Sequence, residues 1–213
     1  MQYEIFKFPI MHTSMIRKLN ETARERSMIF FRSAEHIAQQ SLCLRAKCGA
    51  IIVDMNDNII GMGYNAPPNN KPLKKCRKDE IKEAIIMSIN EGNPIKIDNT
   101  TCCIHAEENA IIHALENKPD LCMTKEELFE GSRLYYVRIA DNGKMIPSGR
   151  PWCTRCSTLA LGVGISEWCI FHSDGVWSLG QGVYLYSAIE YNDVSFNYHK
   201  PSLDGLFVCK KIN

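Results

Sequence analysis

Apolar residues recur along the chain at two periods, and the switches between them lay out the elements. Over residues 23–40, Phe30, Ala34 and Ile37 share one helical face with Phe31 and Ala38 beside them, and Arg32, Glu35 and Gln39 fit a solvated side. Residues 47–54 form a short β-branched apolar run, Met55-Asn56-Asp57-Asn58 is a turn cluster, and residues 59–65 return as a second strand, making a hairpin. Gly61 and Gly63 in that second strand predict a bulge or the close approach of something to its backbone, and Ala66-Pro67-Pro68-Asn69-Asn70 ends it. Residues 79–91 go back to helical spacing, with Ile81, Ala84, Ile85 and Ile89 on one face, Ser88 among them, and Gly92 as the stop.

Residues 106–116 predict a buried helix carrying Ala110, Ile111, Ile112, Ala114 and Leu115. Thr124-Lys125-Glu126-Glu127 is a capping-box pattern that opens a short helix ending near Gly131. A strand over 133–139, a turn-rich stretch over 140–150, a helix over 153–161 closed by Gly162 and a strand over 165–171 follow, and residues 175–186 supply one more strand. Residues 1–20 are weakly periodic and read as an N-terminal extension. Helices interleaved with strands in this order imply an α/β fold with helices layered on a mixed sheet, in a single domain over residues 1–213 with its core over about 23–186.

Composition narrows the function classes. A net charge of +1 gives no global field that would draw the chain to nucleic acid or to a membrane surface, although Lys71 to Lys78 hold five positive charges. No apolar run reaches the ~18 residues of a membrane span. The first residues lack the apolar core and small-residue cleavage site of a secretory signal, so a cytoplasmic location is expected. In that setting the ten cysteines read as reduced thiols and metal ligands rather than disulfides.

The candidate chemistry sits in two clusters. His105-Ala106-Glu107 opens the buried helix, and Pro151-Trp152-Cys153-Thr154-Arg155-Cys156 opens the later one. One imidazole and two thiolates, His105, Cys153 and Cys156, make a three-ligand zinc site with an open fourth position. Cys153 and Cys156, three residues apart at a helix start, share a face, and the positive end of the helix favours their thiolates. Glu107 stands two residues from the histidine, in reach of a proton on a zinc-bound water. Alone, the cysteine pair also fits a structural zinc or a redox pair. The two clusters together, each at a helix start, favour catalysis.

His-x-Glu with Pro-Cys-x-x-Cys is the signature of zinc-dependent nucleobase deaminases. With Gly49-Ala50-Ile51-Ile52-Val53, Ile60-Gly61-Met62-Gly63-Tyr64-Asn65-Ala66-Pro67 and Ile104 to Ile111 beside it, the chain resembles the cytidine and deoxycytidylate deaminase superfamily over residues 27 to about 172, and within it the deoxycytidylate (dCMP) type. The resemblance implies a three-layer α/β/α sandwich around a mixed five-stranded sheet, a Zn2+ cofactor, a small-molecule nucleotide substrate and a homo-oligomer. It implies that Glu107 carries the proton, that Asn65 hydrogen-bonds the sugar, that the backbone N–H of Ala106 contacts the pyrimidine carbonyl, and that the carbonyl of Trp152 accepts from the amino group. Arg45 resembles a position that meets the 5′-phosphate. Trp152 stands where the family has proline, which bears on substrate choice. Residues 117–130 and the Asn142-Gly143-Lys144 turn read as insertions beside the site. Some relatives carry a second, structural zinc, for which Cys76, Cys102 and Cys103 are the candidates, with buried thiols as the alternative. Two rival functions are a deaminase acting on a base within RNA or single-stranded DNA and a catalytically silent zinc-containing binding protein. The low net charge weighs against the first, and the presence of Glu107 against the second.

Overall fold

A computed structural model describes residues 16–92, 103–147, 154–173 and 175–180. The five expected strands are present, Lys47–Val53 (β2), Ile59–Tyr64 (β3), Arg133–Ile139 (β4), Glu167–His172 (β6) and Gly175–Gly180 (β7). Two short strands extend them, Ile16–Lys18 (β1) and Met145–Ile146 (β5), giving a seven-stranded sheet in the order β1-β7-β6-β4-β2-β3 with β5 paired to β4. Only β4 and β6 run parallel, so the sheet is mixed. The N-terminal residues read as an extension therefore include an edge strand, whose partner β7 lies more than 150 residues away in sequence.

Alternation along the central strands builds the layers. In β2, Ala50 and Ile52 point to one face and Ile51 and Val53 to the other, and all four are buried. Ala50 and Ile52 join Leu134 and Trp168 beneath the helices Ala106–Glu116 (α3) and Thr154–Val163 (α5), whereas Ile51 and Val53 join Tyr135 and Val137 beneath Glu21–Ala38 (α1). This is the three-layer sandwich. The strand buries both faces, which is why its sequence is a continuous apolar run rather than an alternating one.

Glycines let the helices lie directly on the sheet. A Cβ at Gly63 would run into the Ala110 backbone nitrogen and stand 2.5 Å from the Ala106 carbonyl oxygen. One at Gly61 would run into the Ala110 carbonyl and stand 3.0 Å from the Ala114 Cβ. Ala106, Ala110 and Ala114 recur every fourth residue, so a stripe of methyl groups on α3 meets a groove of bare backbone on β3. The close approach expected from the two glycines is thus the seat of the helix that begins at His105.

Other boundaries differ from the sequence expectations for local reasons. α1 starts at Glu21 because the Asn20 side chain accepts from the Ala23 N–H at 2.9 Å. α5 runs through Gly162 and stops at Gly164, where φ is +91° and the Ile165 N–H reaches back to the Ala160 carbonyl at 3.0 Å. Lys125–Phe129 (α4) carries the expected capping box, with the Thr124 N–H donating to the Glu127 carboxylate at 2.7 Å. Residues 117–130 do not flank the site, however. Leu128 and Phe129 of α4 are buried in the core just before β4 begins, at the end of the sheet opposite His105.

The helix Arg77–Asn90 (α2) is the main departure. Of its expected apolar face, Ile89 is 57% exposed and Ala84 is exposed, Ile81 and Ile85 are half-buried, and Ser88 is the buried residue. α2 packs extensively against no other helix or strand among the described residues. The period was read correctly, but a period identifies a face without identifying anything to cover it. The basic run that precedes it reads as solvated: Lys71, Lys74 and Lys75 are exposed, and Lys75 pairs with Glu83 at 2.5 Å.

Candidate metal and active site

His105 occupies the N-cap of α3 in extended conformation, φ −75° and ψ 157°. Its position is fixed from both sides. Behind it, Ile104 pairs with Ala66 just past the end of β3, the Ile104 N–H donating to the Ala66 carbonyl at 2.8 Å. Ahead of it, the Asn109 side-chain amide donates to the Tyr64 carbonyl at 2.7 Å, which ties the first turn of α3 to the same strand end.

α5 approaches from the same face of the sheet. The His105 Nδ1 lies 3.2 Å from the sulfur of Cys156, which is wholly buried. His105, Glu107 and Cys156 each offer one ligand atom, and these atoms all lie within 4.8 Å of one another. Nitrogen and sulfur ligands on a tetrahedral zinc, at about 2.0 and 2.3 Å from it, stand about 3.5 Å apart, so the imidazole and thiol are spaced as this donor pair requires. A nitrogen–sulfur donor set suits zinc rather than magnesium or calcium, which take oxygen. Among the described residues this is the only cluster of histidine, cysteine and acidic side chains able to hold an ion. Cys76 and Cys103 are buried outside it, and Cys102 lies outside the described residues.

The remaining sequence candidates fall around this cluster to different degrees. Cys153 and Trp152 lie outside the described residues. Ala106, between the histidine and the glutamate, has no exposed surface, and its N–H belongs to the first turn of α3, where backbone donors lack helical partners. Asn65 is 8% exposed, and its carboxamide holds the loop before β2 in place: Oδ1 accepts from the Cys48 N–H at 2.8 Å and from the Ser41 hydroxyl at 2.6 Å, and Nδ2 donates to the Ala46 carbonyl at 2.8 Å. Arg45 is on that loop, exposed, 3.8 Å from Asp79. With Lys47, Arg138 and Asp141 it lines a cleft of about 440 Å³ at this end of the sheet, beside the Asn142-Gly143-Lys144 turn of the β4–β5 hairpin.

Four residues of the site carry no signal that the motif reading used. Cys48 and Tyr136 sit on the α3 side of β2 and β4, and the Tyr136 hydroxyl donates to the Cys48 sulfur at 3.2 Å. Burial foremost, with the Glu107 charge adding to it, pushes the Cys48 thiol up to about 11 against the opposing hydrogen bond from Tyr136. Burial likewise pushes the Tyr136 hydroxyl up, with Cys48 and Glu107 adding to it. Both groups therefore hold their protons near Glu107 at physiological pH. Their proximity arises across strands and has no sequence spacing. Glu108 and Arg155 are the other two. Glu108 follows the histidine by three residues, the spacing of a helix-capping glutamate, which is a signal the sequence does contain.

The chain is similar to known proteins over most of its length. The family model of the cytidine and deoxycytidylate deaminase zinc-binding region matches residues 24–172. Among solved structures, the chain is similar to dCMP deaminase from the cyanophage S-TIM5 in apo form, at 20% identity over 70% of this chain and 82% of that one, with a TM-score of 0.43. The same enzyme in complex with dCMP and dUMP gives 21% identity over 68% and 79%, with a TM-score of 0.42. Cytidine deaminase from Burkholderia pseudomallei gives 14% identity over 78% and 96%, with a TM-score of 0.45. No curated protein matches the chain. With its match extending from α1 to the end of β6 and taking in both clusters, the chain belongs to the cytidine and deoxycytidylate deaminase family.

Proposed function

We propose that this protein hydrolyses the amino group from a cytosine nucleotide, converting dCMP to dUMP and ammonia. The observation that carries the reading is the convergence of His105, Glu107 and Cys156 at two helix starts. His105, Cys156 and Cys153 hold the zinc, Cys153 being assigned by its spacing from Cys156. When bound, zinc supplies Lewis acidity that brings the pKa of a water toward neutrality. Glu107 accepts a proton from the attacking water and delivers it to the ring nitrogen, then takes the remaining hydroxyl proton as the new carbonyl forms and passes it to the amine, which leaves as ammonia. At 4% exposure the Glu107 carboxylate is held away from bulk water, so the proton it takes stays within the site. The Ala106 N–H orients the pyrimidine carbonyl, and the Trp152 carbonyl accepts from the amino group.

A nucleotide rather than a nucleoside is supported by Arg45, Lys47 and Arg138, cations that line one cleft at the end of the sheet where β2 begins. Deoxyribose is supported by the Gly63-Tyr64-Asn65-Ala66-Pro67 stretch that resembles the dCMP type. Asn65 acts by holding the loop that carries Arg45 and by presenting the remaining Nδ2 hydrogen to the sugar.

Incubation with dCMP, CMP and cytidine, with loss of cytosine absorbance and ammonia release as readouts, tests the reading. The expected order of kcat/KM is dCMP, then CMP, then cytidine. Absence of ammonia from all three would sink it, and deamination of single-stranded nucleic acid alone would replace it with the polymer-acting alternative.

A further inference from the structure

Glu108 carries a buried carboxylate for which the proposed chemistry has no use. Its side chain is 6% exposed, and an ionised group so placed is costly unless paired. It has two sets of partners. Oε2 accepts from the His105 backbone N–H at 2.9 Å. The Arg155 guanidinium grips both oxygens, Nη2 donating to Oε2 at 2.9 Å and Nε to Oε1. This is the two-pronged arginine–carboxylate geometry, which fixes direction as well as distance.

The partners belong to two segments of chain that are 47 residues apart between Glu108 and Arg155. One is the backbone of the residue whose imidazole faces Cys156. The other is the residue directly before Cys156. A single carboxylate thus spans the two places whose separation decides whether the imidazole and the thiol meet at 3.2 Å. The same grip keeps Glu108 itself out of the ligand cluster, in which the carboxylate is that of its neighbour Glu107.

We propose that Glu108 and Arg155 form a positioning clamp that sets the His105–Cys156 geometry for zinc before the ion is bound. The clamp rests on the reading of His105 and Cys156 as zinc ligands. A surface ion pair would contribute little and leave metal binding untouched. A clamp acts on the metal, because outer partners that orient metal ligands change affinity by about 10–100-fold when removed.

Zinc affinity is measured on the full chain by competition with a chromophoric chelator, in wild type, Arg155→Ala, Glu108→Gln and His105→Ala. The visible absorption of the cobalt-loaded forms reports ligand geometry. Arg155→Ala is expected to weaken zinc binding by about 10–100-fold and to shift the cobalt spectrum. Glu108→Gln, which keeps an acceptor for the His105 N–H and loses only the charge, is expected to lose less, in the same direction. Should Arg155→Ala fail to fold, Glu108→Gln and Arg155→Lys decide by the same two readouts. Wild-type affinity with an unchanged cobalt spectrum in these variants overturns the clamp. If instead wild type takes up no zinc, or His105→Ala binds as wild type does, the ligand assignment itself has failed and the clamp goes with it.

Discussion

Helices α2 and α3 both carry an apolar stripe, and they use it in opposite ways. In α3, Ala106, Ala110, Ile111 and Ala114 are at most 1% exposed. In α2, Ile89 of the stripe is 57% exposed, Ala84 is exposed and Ile81 and Ile85 are only half-buried. α2 has 14 residues and α3 has 11, so the difference is not one of length. It lies in what faces them. α3 meets Gly61 and Gly63, whose missing side chains let its alanines touch the strand, and its first turn is bonded to the strand end through Asn109. α2 meets nothing of the kind among the described residues. A helix that must deliver His105 and Glu107 to within ångströms of Cys156 needs a rigid seat, and the glycine groove provides it.

The comparison can be broken at its seat. Gly63→Ala places a methyl group into backbone rather than into a movable side chain, so α3 must lift. The expected cost is about 3 kcal/mol or more, read as a lower denaturation midpoint, together with lost zinc. Ile111→Ala, a cavity under α3, is expected to cost about 2–5 kcal/mol by the same measurement. Its counterpart Ile89→Ala on α2 is expected to stay within about 0.5 kcal/mol of wild type, and a cost like that of Ile111→Ala would show that something covers α2 in solution.

The side of the sheet beneath α3 can be probed by pH as well. An acid group whose pKa is raised holds its proton longer, so Cys48, at about 11 against an ordinary 9.0, presents less thiolate at pH 8 than an unperturbed thiol. Its alkylation, followed peptide by peptide, is expected to be slower than that of exposed Cys122 at pH 8 and to accelerate as pH rises toward 11. Equal rates at pH 8 would mean that Cys48 is open to water.

The parts of this molecule legible in its sequence are those encoded by neighbours. The apolar runs of β2, β3 and β4, the capping box at Thr124 and the two glycines of β3 each report a local physical demand, and each is met. The spacing of His105, Glu107 and Cys156 within their motifs is local too, and the structure brings these three side chains together. What escaped is what depends on distant partners. β1 is an edge strand only because β7 lies beside it. Asn65, expected to face a sugar, has most of its hydrogen-bonding capacity committed to residues 41–48. Cys48 meets Tyr136 across two strands, and Glu108 meets Arg155 across two helices. No periodicity links such pairs.

The central claim is that Glu107 moves the proton while His105 and Cys156 hold the metal. The most direct test measures zinc content and dCMP turnover together in Glu107→Ala. The account predicts one zinc per chain, as in wild type, with kcat lower by about 10²–10⁴-fold or more. Turnover at the wild-type rate with zinc retained, or loss of the zinc on removing Glu107 alone, would contradict it.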